Sequence, residues 1–511
     1  MKKVFSLFVV LTVVFSLCIS SFAADVTVNV VGGLTDHSFS GYMILSGDYD
    51  SVSQSLSNVE WGAGIKSADF LSALKADSQI GSYFTDCEDA AAVAEEISSF
   101  SDNSAEARAF AKIAYANINT ANFVVISSAT TNLDNGYYLV VDSTDVQGQD
   151  KAANASLLQV VGDNIDINLK TDKPFVEKKV MENIKWEDND GYNDVADWNI
   201  GDDVPFRVIS NVPDFTYYDE YTMIFHDTLD AGFTLNLNSI SVKIGDITLA
   251  EDVDYTVSQD GQSFDVQIID LKVISGIEIG DAIVVDYTAL LNTDAVIGLE
   301  GNENVVYLEY SNFPDSAGNT GNTSLTGNTP EDKVIVFTYG AEITKVDGAD
   351  ENITLPGAEF VLKNSDGTKY AIVENGLFAG WTAEKEKATK LVTGDEGVIV
   401  VKGLDDNTYL LEEVAAPAGY NAIIGDKTIT IKATTENGDS WDGVPSNALK
   451  GVAGDADADA LVEVQVVNNK GAVLPETGGT GTVIFITVGF ILAMIAVVFL
   501  VTRKKMSVYE D

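Results

Sequence analysis

Hydrophobic positions change their spacing along this 511-residue chain. Between residues 25 and about 170, some apolar residues recur at helical spacing and others form short β-type runs, which predicts a mixed α/β region. Three helices are expected, each with a capping residue and inward apolar residues: Ser67 with Phe70, Leu71 and Leu74; Asp86 with Val93, Ile97 and Phe100; Ser104 with Phe110 and Ile113. Strands at 137–141 and 165–169 close this region.

The helical spacing disappears after about residue 171. Strict alternation of apolar and polar residues, interrupted by Gly, Asn and Asp turns, continues to residue 333 and predicts a β-sandwich. Residues 316–329 are rich in Gly, Asn, Thr and Ser and favour a hairpin loop or linker. Short strands and turns resume from 334 to 471, for which a second sandwich is the simplest interpretation.

Both chain ends carry longer apolar runs. The run 483–501 would reach about 28 Å as a helix, enough to cross a bilayer once, and the basic residues 503–505 would stay on the cytoplasmic side. Residues 1–23 have the basic start, apolar stretch and small residues of a secretory signal peptide, with cleavage expected after Ala23. The exported chain then retains Cys87 alone, so no internal disulfide is expected.

Charge and composition narrow the class of protein. The chain has 78 acidic and 30 basic residues, a net charge of -48, which disfavours binding to nucleic acid. The two histidines, His37 and His226, lie in no catalytic Ser or Cys motif, so an enzyme is the least favoured class and no cofactor is expected. Asp455, Asp457 and Asp459 suit a solvated segment better than a calcium site, because the glycine of an EF-hand loop is missing, so no metal site is predicted.

Several motifs resemble those of one protein family. Leu474-Pro475-Glu476-Thr477-Gly478, followed by the apolar run and the basic cluster, resembles the cell-wall sorting signal of Gram-positive surface proteins. The segment 409–420, Tyr-Leu-Leu-Glu-Glu-Val-Ala-Ala-Pro-Ala-Gly-Tyr, resembles the E-box of sortase-assembled pilins, and 355–360 and 466–470 continue the pattern. The chain is identified as a member of the isopeptide-forming backbone pilins.

The resemblance implies an architecture and a location. It predicts a mainly β, elongated tandem: an α/β domain at 24–170, two immunoglobulin-like sandwiches of the Cna type at 171–333 and 334–471, and a sorting signal at 474–511 with its transmembrane helix. It also implies that a sortase cuts between Thr477 and Gly478 and that the product is a pilus anchored to peptidoglycan at the cell surface. Accessory pilins and a host surface ligand are further expected partners.

The resemblance further implies a covalent bond inside the third domain. Lys345 alternates with Ile343, so it should point inward, and Asn468 shares one strand face with Val464 and Val466. Burial would favour a neutral, nucleophilic lysine amine. Glu413, protonated in apolar surroundings, is then expected to polarise the Asn468 amide while ammonia leaves.

A second bond is predicted in the second domain. Lys178 alternates with Val176 and Val180, and Asn312 with Leu308 and Tyr310. We therefore expect Lys178 to bond to Asn312, with Asp227 as the acid. The alternative in both domains is an ordinary buried salt bridge or a surface lysine.

The lysine that receives the sortase product is less well defined. In the family it ends a Tyr-Pro-Lys motif, whereas this chain has Lys170 after 166–169 and Lys173 before Pro174. Lys170 is preferred because the strand of the motif ends there. Joining Thr477 of one copy to Lys170 of the next would give a head-to-tail polymer. A monomeric wall-anchored adhesin and a minor pilin are the alternatives.

Overall fold

A computed structural model provides the structure. It describes residues 24–25, 28–31, 37–50, 52–53, 55–127, 132–161, 165–168, 172–183, 191–314, 326–436, 441, 443–456, 459–471 and 480–506. The described chain is mainly β and builds three hydrophobic cores, followed by a long C-terminal helix. The predicted fold class is therefore confirmed. We refer to 24–168, 172–337 and 339–471 as the N-terminal, middle and C-terminal regions.

The N-terminal region packs helices on a sheet. Its elements are β1 (Ala24–Asp25), β2 (Val28–Val31), β3 (Phe39–Asp50), β4 (Ser55–Trp61), α1 (Ser67–Ala76), α2 (Ala90–Ile97), α3 (Ala105–Ala116), β5 (Val124–Ile126), β6 (Asn132–Leu133), β7 (Gly136–Asp142), β8 (Leu157–Val161) and β9 (Ile165–Asn168). The main sheet has the order β4-β3-β7-β8, with β5 on β3. Phe70, Phe84 and Phe110 are fully buried at the centre of its core, and Cys87 packs in the same core.

One of the three predicted helix caps is correct. Ser104 caps α3, because its side chain accepts a hydrogen bond from the Ala107 backbone N–H. Ser67 is instead the first residue of α1, whose N-cap Lys66 makes no side-chain capping bond. Asp89, not Asp86, caps α2. The helix starts later than predicted because residues 84–87 still form a turn, in which the Cys87 N–H donates to the Phe84 carbonyl.

The middle region is a two-sheet sandwich. Its strands are β10 (Glu177–Glu182), β11 (Gly191–Asn193), β12 (Val195–Asp197), β13 (Asp203–Asn211), β14 (Met223–Leu229), β15 (Phe233–Ile244), β16 (Ile247–Thr248), β17 (Tyr255–Asp260), β18 (Ser263–Ile268), β19 (Ala282–Leu291), β20 (Asn302–Ser311), β21 (Thr326–Asn328) and β22 (Asp332–Phe337). One sheet has the order β11-β10-β13-β19-β15-β16, and the other β12-β22-β20-β14-β18-β17, with β21 on β20. Part of the predicted loop 316–329 is thus strand β21, and residues 315–325 lie outside the described residues.

Inward positions alternate strictly along the middle strands. In β13 and β19 every second residue is buried, including Phe206, Val208, Val285 and Tyr287. β10 follows the same rule and buries Lys178 between the apolar residues of the two sheets. A period of two places one side of each strand in the core whatever the residue type, so Lys178 enters the core with its apolar neighbours.

The C-terminal region forms one continuous ten-stranded sheet around its core. Its elements are β23 (Tyr339–Asp347), β24 (Asp350–Thr354), β25 (Glu359–Lys363), β26 (Tyr370–Glu374), β27 (Leu377–Thr382), β28 (Leu391–Val392), β29 (Val398–Leu404), β30 (Thr408–Ala415), β31 (Lys427–Thr430), β32 (Ala433–Thr435), α4 (Pro445–Ala448), β33 (Leu449–Val452) and β34 (Leu461–Asn468). The sheet runs β24-β23-β29-β27-β26-β25-β30-β31, with β28 on β25 and β34 on β23, and β32 pairs separately with β33. Its first strand, β23, and last strand, β34, lie side by side and parallel.

Hydrogen bonds join the middle and C-terminal regions. The Ile200 N–H donates to the Gly403 carbonyl and the Asp405 N–H to Asn199 Oδ1, each at 3.0 Å. A Cβ on Gly403 would lie 2.8 Å from Ile200, so the close approach requires glycine. These contacts connect the two regions that carry the buried lysines Lys178 and Lys345.

The chain continues into α5 (Thr480–Met506). The segment Val483–Lys504 of this helix has a mean hydropathy of 3.1, and none of its residues is buried. The helix is therefore long and apolar enough to cross a membrane. Its apolar side chains, among them Phe485 and Phe490, are exposed, as expected for a helix that contacts lipid.

Candidate functional site

Lys345 is a buried amine in the C-terminal region. It lies on β23 two positions after the buried Ile343 and has no exposed surface. Its Nζ donates to the Val466 carbonyl at 2.8 Å. Burial lowers the pKa of Lys345 to about 8, although the Glu413 carboxylate acts in the opposite direction. A neutral, nucleophilic amine is therefore accessible close to neutral pH.

Asn468 lies on the neighbouring strand. β23 and β34 are parallel, with Lys345 opposite Val466 and Asp347 opposite Asn468. The Asn468 Nδ2 donates to Glu413 Oε1 at 2.8 Å, and the Ile423 N–H donates to the second Glu413 oxygen at 2.7 Å. We call Lys345, Glu413 and Asn468 the C-terminal cluster. The structure thus brings together the three residues that the sequence had singled out here, with the acid holding the amide.

Lys178 is the buried amine of the middle region. Its Nζ contacts the Asp227 carboxylate and donates to the Tyr287 hydroxyl at 2.8 Å. It lies 5.4 Å from the centre of the Tyr287 ring and 5.9 Å from that of Phe206. This amine is therefore enclosed by one carboxylate, one hydroxyl and aromatic surface.

The electrostatics of this contact favour a neutral pair. Burial lowers the pKa of Lys178, although Asp227 acts in the opposite direction. Burial also raises the pKa of Asp227, although Lys178 opposes this shift. Transfer of one proton from Lys178 to Asp227 would leave an amine and a carboxylic acid, neither of which carries a charge in the apolar core.

The predicted pairing of Lys178 with Asn312 is wrong in its second residue. Asn312 is fully buried, but its Nδ2 donates to the backbone carbonyls of Val146, at 2.5 Å, and Lys151, at 3.0 Å, in the N-terminal region. On β20, the residue opposite Asp227 is Val306. Asn312 follows six residues later, roughly 20 Å further along an extended chain, so it cannot face the same amine.

Asn304 takes the position that sequence reasoning gave to Asn312. It lies two residues before Val306 on the same inward face of β20 and has no exposed surface. Its Nδ2 donates to the Tyr287 hydroxyl at 2.7 Å, and that hydroxyl donates to Asp227 Oδ2 at 2.8 Å. We call Lys178, Asp227, Tyr287 and Asn304 the middle cluster.

The sequence held a usable signal for Asn304. Residues 302, 304, 306, 308 and 310 alternate inward along β20, so two asparagines share the face that the prediction assigned to Leu308 and Tyr310. Asn302 is already engaged, because its Nδ2 donates to the carbonyls of Val296 and Val336. Tyr287 was missed altogether, and its inward position in the alternating strand β19 was the available signal.

The two clusters share an unusual feature. Asn304 Oδ1, Asp227 Oδ1 and Asn468 Oδ1 are buried, and none has a hydrogen-bond partner in the part of the chain that the structure describes. A buried acceptor without a partner is unfavourable. A proton on Asp227 would supply a donor to the middle cluster.

Most of the residues predicted for sortase processing lie outside the described part of the chain. Lys170 and Leu474, Pro475, Glu476, Thr477 and Gly478 fall outside the described residues, as do residues 1–23. Lys173 is described: it forms an ion pair with the Asp150 carboxylate, and its Nζ donates to the Asp150 carbonyl at 3.2 Å. Its side chain is 42% exposed, so an enzyme could reach the amine once that contact opens.

The remaining candidate residues have local partners. The His37 Nδ1 lies 2.6 Å from Asp142 Oδ2. On β14, His226 points away from the middle cluster and lies between Asp265 and Glu309. These contacts are those of structural histidines.

The acidic segment near residue 455 folds back on itself. The Asp455 carboxylate accepts hydrogen bonds from the Asp459 and Ala460 backbone N–H groups, and Asp457 lies outside the described residues. Among the described residues, no group of three or more His, Cys, Asp or Glu side chains could hold a metal ion.

Three family models match parts of the chain. Residues 200–314 match the Gram-positive pilin backbone subunit 2, Cna-B-like domain, which includes Asp227, Tyr287 and Asn304. Residues 340–442 match a prealbumin-like fold domain, which includes Lys345 and Glu413. Residues 466–507 match the LPXTG cell wall anchor motif.

Curated relatives agree with these models. The chain is 24% identical over 353 residues to the trypsin-resistant surface T6 protein of Streptococcus pyogenes serotype M6, covering 56% of this chain and 61% of the relative. It is 27% identical over 362 residues to fimbrial subunit type 2 of Actinomyces naeslundii, covering 62% of this chain and 59% of the relative. The chain thus spans about six tenths of the length of these relatives.

Solved structures share the fold. The T6 backbone pilin of S. pyogenes serotype M6, described as a modular three-domain structure, matches with a TM-score of 0.55 and 16% identity, covering 88% of this chain and 99% of that one. The full-length major pilin SpaD of Corynebacterium diphtheriae matches with a TM-score of 0.51 and 16% identity, covering 88% and 98%.

Proposed function

Because the chain belongs to the Gram-positive backbone pilins with an LPXTG cell wall anchor, we propose that it is the shaft subunit of a covalent pilus. The observation that carries this proposal is the anchor match over 466–507, which contains the Leu474–Gly478 motif and the membrane-spanning helix. Such a protein is a structural component of the cell surface.

Sortase is the proposed processing enzyme. Helix α5 holds the chain in the membrane, so the Leu474–Gly478 segment stays just outside it. Sortase then cleaves between Thr477 and Gly478 and transfers the Thr477 carbonyl to an amine. The amine of Lys170, or alternatively Lys173, in the next copy extends the polymer head to tail. Transfer to peptidoglycan ends growth, and accessory pilins and a host ligand are further proposed partners.

An internal amide bond is proposed in the C-terminal region. The neutral amine of Lys345 attacks the Asn468 side-chain carbon, and ammonia leaves. Glu413, which already accepts a hydrogen bond from Asn468 Nδ2, takes a proton from the attacking amine and passes one to the departing nitrogen. Packing of the parallel strands β23 and β34 replaces a bimolecular aminolysis by an intramolecular one.

A second amide bond is proposed between Lys178 and Asn304 in the middle region. Asp227 takes the proton from Lys178 and so frees the amine for attack on the Asn304 side chain. The Lys178–Asp227 contact and the Tyr287 bridge from Asp227 to Asn304 support this choice over Asn312.

Both bonds would restrain the unfolded chain. Lys178 and Asn304 are 126 residues apart (304 minus 178), and Lys345 and Asn468 are 123 apart (468 minus 345). By analogy with disulfides, closing loops of this size stabilises the folded state by about 4 to 5 kcal/mol each. Under tension along a shaft, the covalent bonds would carry load that strand hydrogen bonds alone could not.

A cell-wall extract tests the polymer. Extracts of the wild type and of Lys170→Ala, Lys173→Ala and the surface control Lys75→Ala are boiled in SDS and probed with antiserum to this chain. We expect a high-mass ladder in the wild type and the control, and its loss in one of the two acceptor variants. A single wall-bound species in every strain would instead indicate a monomeric adhesin.

A further inference from the structure

Tyr287 connects the other three members of the middle cluster. It projects from β19 into the core and is 2% exposed. Its hydroxyl donates to Asp227 Oδ2 at 2.8 Å and accepts from Lys178 Nζ at 2.8 Å and from Asn304 Nδ2 at 2.7 Å. One oxygen atom thus contacts the proposed nucleophile, the acid and the leaving nitrogen.

The number of contacts matches the capacity of a hydroxyl. A tyrosine O–H supplies one donor and two acceptor lone pairs, and here all three are used. Burial and the neighbouring Asp227 carboxylate raise the pKa of Tyr287 well above its usual value, so the group keeps its proton. A protonated hydroxyl whose O–H and both lone pairs are hydrogen-bonded fixes the relative positions of its three partners.

The ring itself is held independently of the hydroxyl. It stacks on Phe206 at 5.4 Å between centroids and 22° between planes, and it meets the edge of Phe264 at 5.0 Å and 80°. Phe206 is also its cross-strand partner on β13. Removing the oxygen atom alone should therefore leave the ring in place.

We propose that Tyr287 is a catalytic residue of the Lys178–Asn304 reaction, relaying a proton from the attacking amine to the departing amide nitrogen. This inference rests on the proposed function of the cluster. It adds a fourth residue to the lysine, acid and asparagine.

Each proton that moves in this reaction has a donor and an acceptor within the cluster. The Lys178–Asp227 pair first becomes amine and carboxylic acid by transfer of one proton. The Lys178 nitrogen then bonds to the Asn304 side-chain carbon, and the bond from that carbon to Nδ2 breaks. The Tyr287 hydroxyl turns its proton from Asp227 Oδ2 to Nδ2 and accepts a proton from Lys178 Nζ, and Nδ2 leaves as ammonia. Tyrosine and Asp227 end with the protons they held before attack, and no oxidant or other reactant is needed.

Tyr287→Phe tests the relay. The full chain is expressed briefly in a host without sortase and purified in detergent, and its mass is followed over time together with peptide mapping of both bonds. The wild type should lose two ammonia molecules. Tyr287→Phe should form the Lys178–Asn304 bond at least about 100-fold more slowly, a typical loss for acid–base assistance.

The same molecule contains its own control. The Lys345–Asn468 bond should form in Tyr287→Phe at the wild-type rate, which shows that the chain has folded. Tyr221→Phe is the matched variant, because Tyr221 is fully buried in the same core and its hydroxyl has no hydrogen-bond partner in the described chain. That variant should form both bonds normally.

Two outcomes overturn different statements. If the wild type forms both bonds and Tyr287→Phe forms them equally fast, the role of the tyrosine is wrong while the proposed bond stands. If the wild type itself leaves the Lys178 and Asn304 peptides unmodified, the proposed bond fails and the inference fails with it.

Discussion

The middle and C-terminal clusters each contain a lysine, an acidic residue and an asparagine, but in different geometries. In the middle cluster, Lys178 comes from one sheet, whereas Asp227 and Asn304 come from the opposite sheet. In the C-terminal cluster, Lys345 and Asn468 lie on adjacent parallel strands of one sheet. A bond in the first case would join two sheets across a core, and in the second it would join the first and last strands side by side.

The acid also has a different contact in each cluster. Asp227 contacts the lysine directly and reaches the asparagine through Tyr287, whereas Glu413 holds the asparagine and leaves the lysine on a backbone carbonyl. In the middle cluster, Tyr287 projects from the opposite sheet and its hydroxyl joins Asp227 to Asn304, whereas Glu413 Oε1 reaches Asn468 directly. The same chemistry therefore does not require the same arrangement.

Replacing the two lysines should give the largest difference in stability between variants of the two clusters. Lys178→Met should lower the free energy of unfolding more than Lys345→Met, although each loses about 4 to 5 kcal/mol of loop closure. Lys178→Met also leaves the fully buried carboxyl group of Asp227 without its contact to the lysine nitrogen, at about 1 to 3 kcal/mol. Thermal and denaturant unfolding of the two variants measures the difference.

A double variant checks the cause of that difference. Lys178→Met with Asp227→Leu should recover most of the extra loss, because no buried carboxyl group is then left without its partner. Equal destabilisation by the two single lysine variants would show that loss of the Lys178 contact to Asp227 does not lower the stability.

Asn312→Ala should have a smaller effect that leaves both bonds intact. It removes two hydrogen bonds to the Val146 and Lys151 carbonyls and should cost about 1 to 3 kcal/mol. The mass should still be lower by two ammonia molecules, and hydrogen exchange should rise around residues 146–151. Asn304→Ala is the matched control, and its mass should be only one ammonia below that of its own unmodified chain. The reverse pattern would restore Asn312 as the bonding residue.

Changing pH should alter the rate in the C-terminal cluster. Burial lowers the pKa of Lys345 to about 8, so the neutral amine is abundant above that pH and scarce below it. The Lys345–Asn468 bond should therefore form about tenfold more slowly at pH 7 than at pH 9, equivalent to about 1.4 kcal/mol. Mass spectrometry after pH-shifted refolding measures this, and a rate that falls with rising pH would contradict a free-amine mechanism.

Local sequence patterns predicted much of the fold. Helical spacing predicted α-helices before residue 171, where α1, α2 and α3 lie, and the Ser104 cap was correct. The caps at Ser67 and Asp86 were wrong because several polar residues precede each helix, and the turn around Cys87 decides where α2 begins. Such choices depend on contacts that spacing alone does not contain.

The chain itself determined which side chains point inward and how its C-terminal segment is built. A two-residue period placed Lys178, Asp227, Lys345 and Asn468 in the cores, and the anchor motif with its apolar helix is a linear feature. Only the tertiary structure decided that the Tyr287 hydroxyl joins Asn304 to Lys178 while Asn312 binds the N-terminal region. The physical reason is register: alternation defines the face of a strand, but strand pairing and sheet packing define which positions meet across a core.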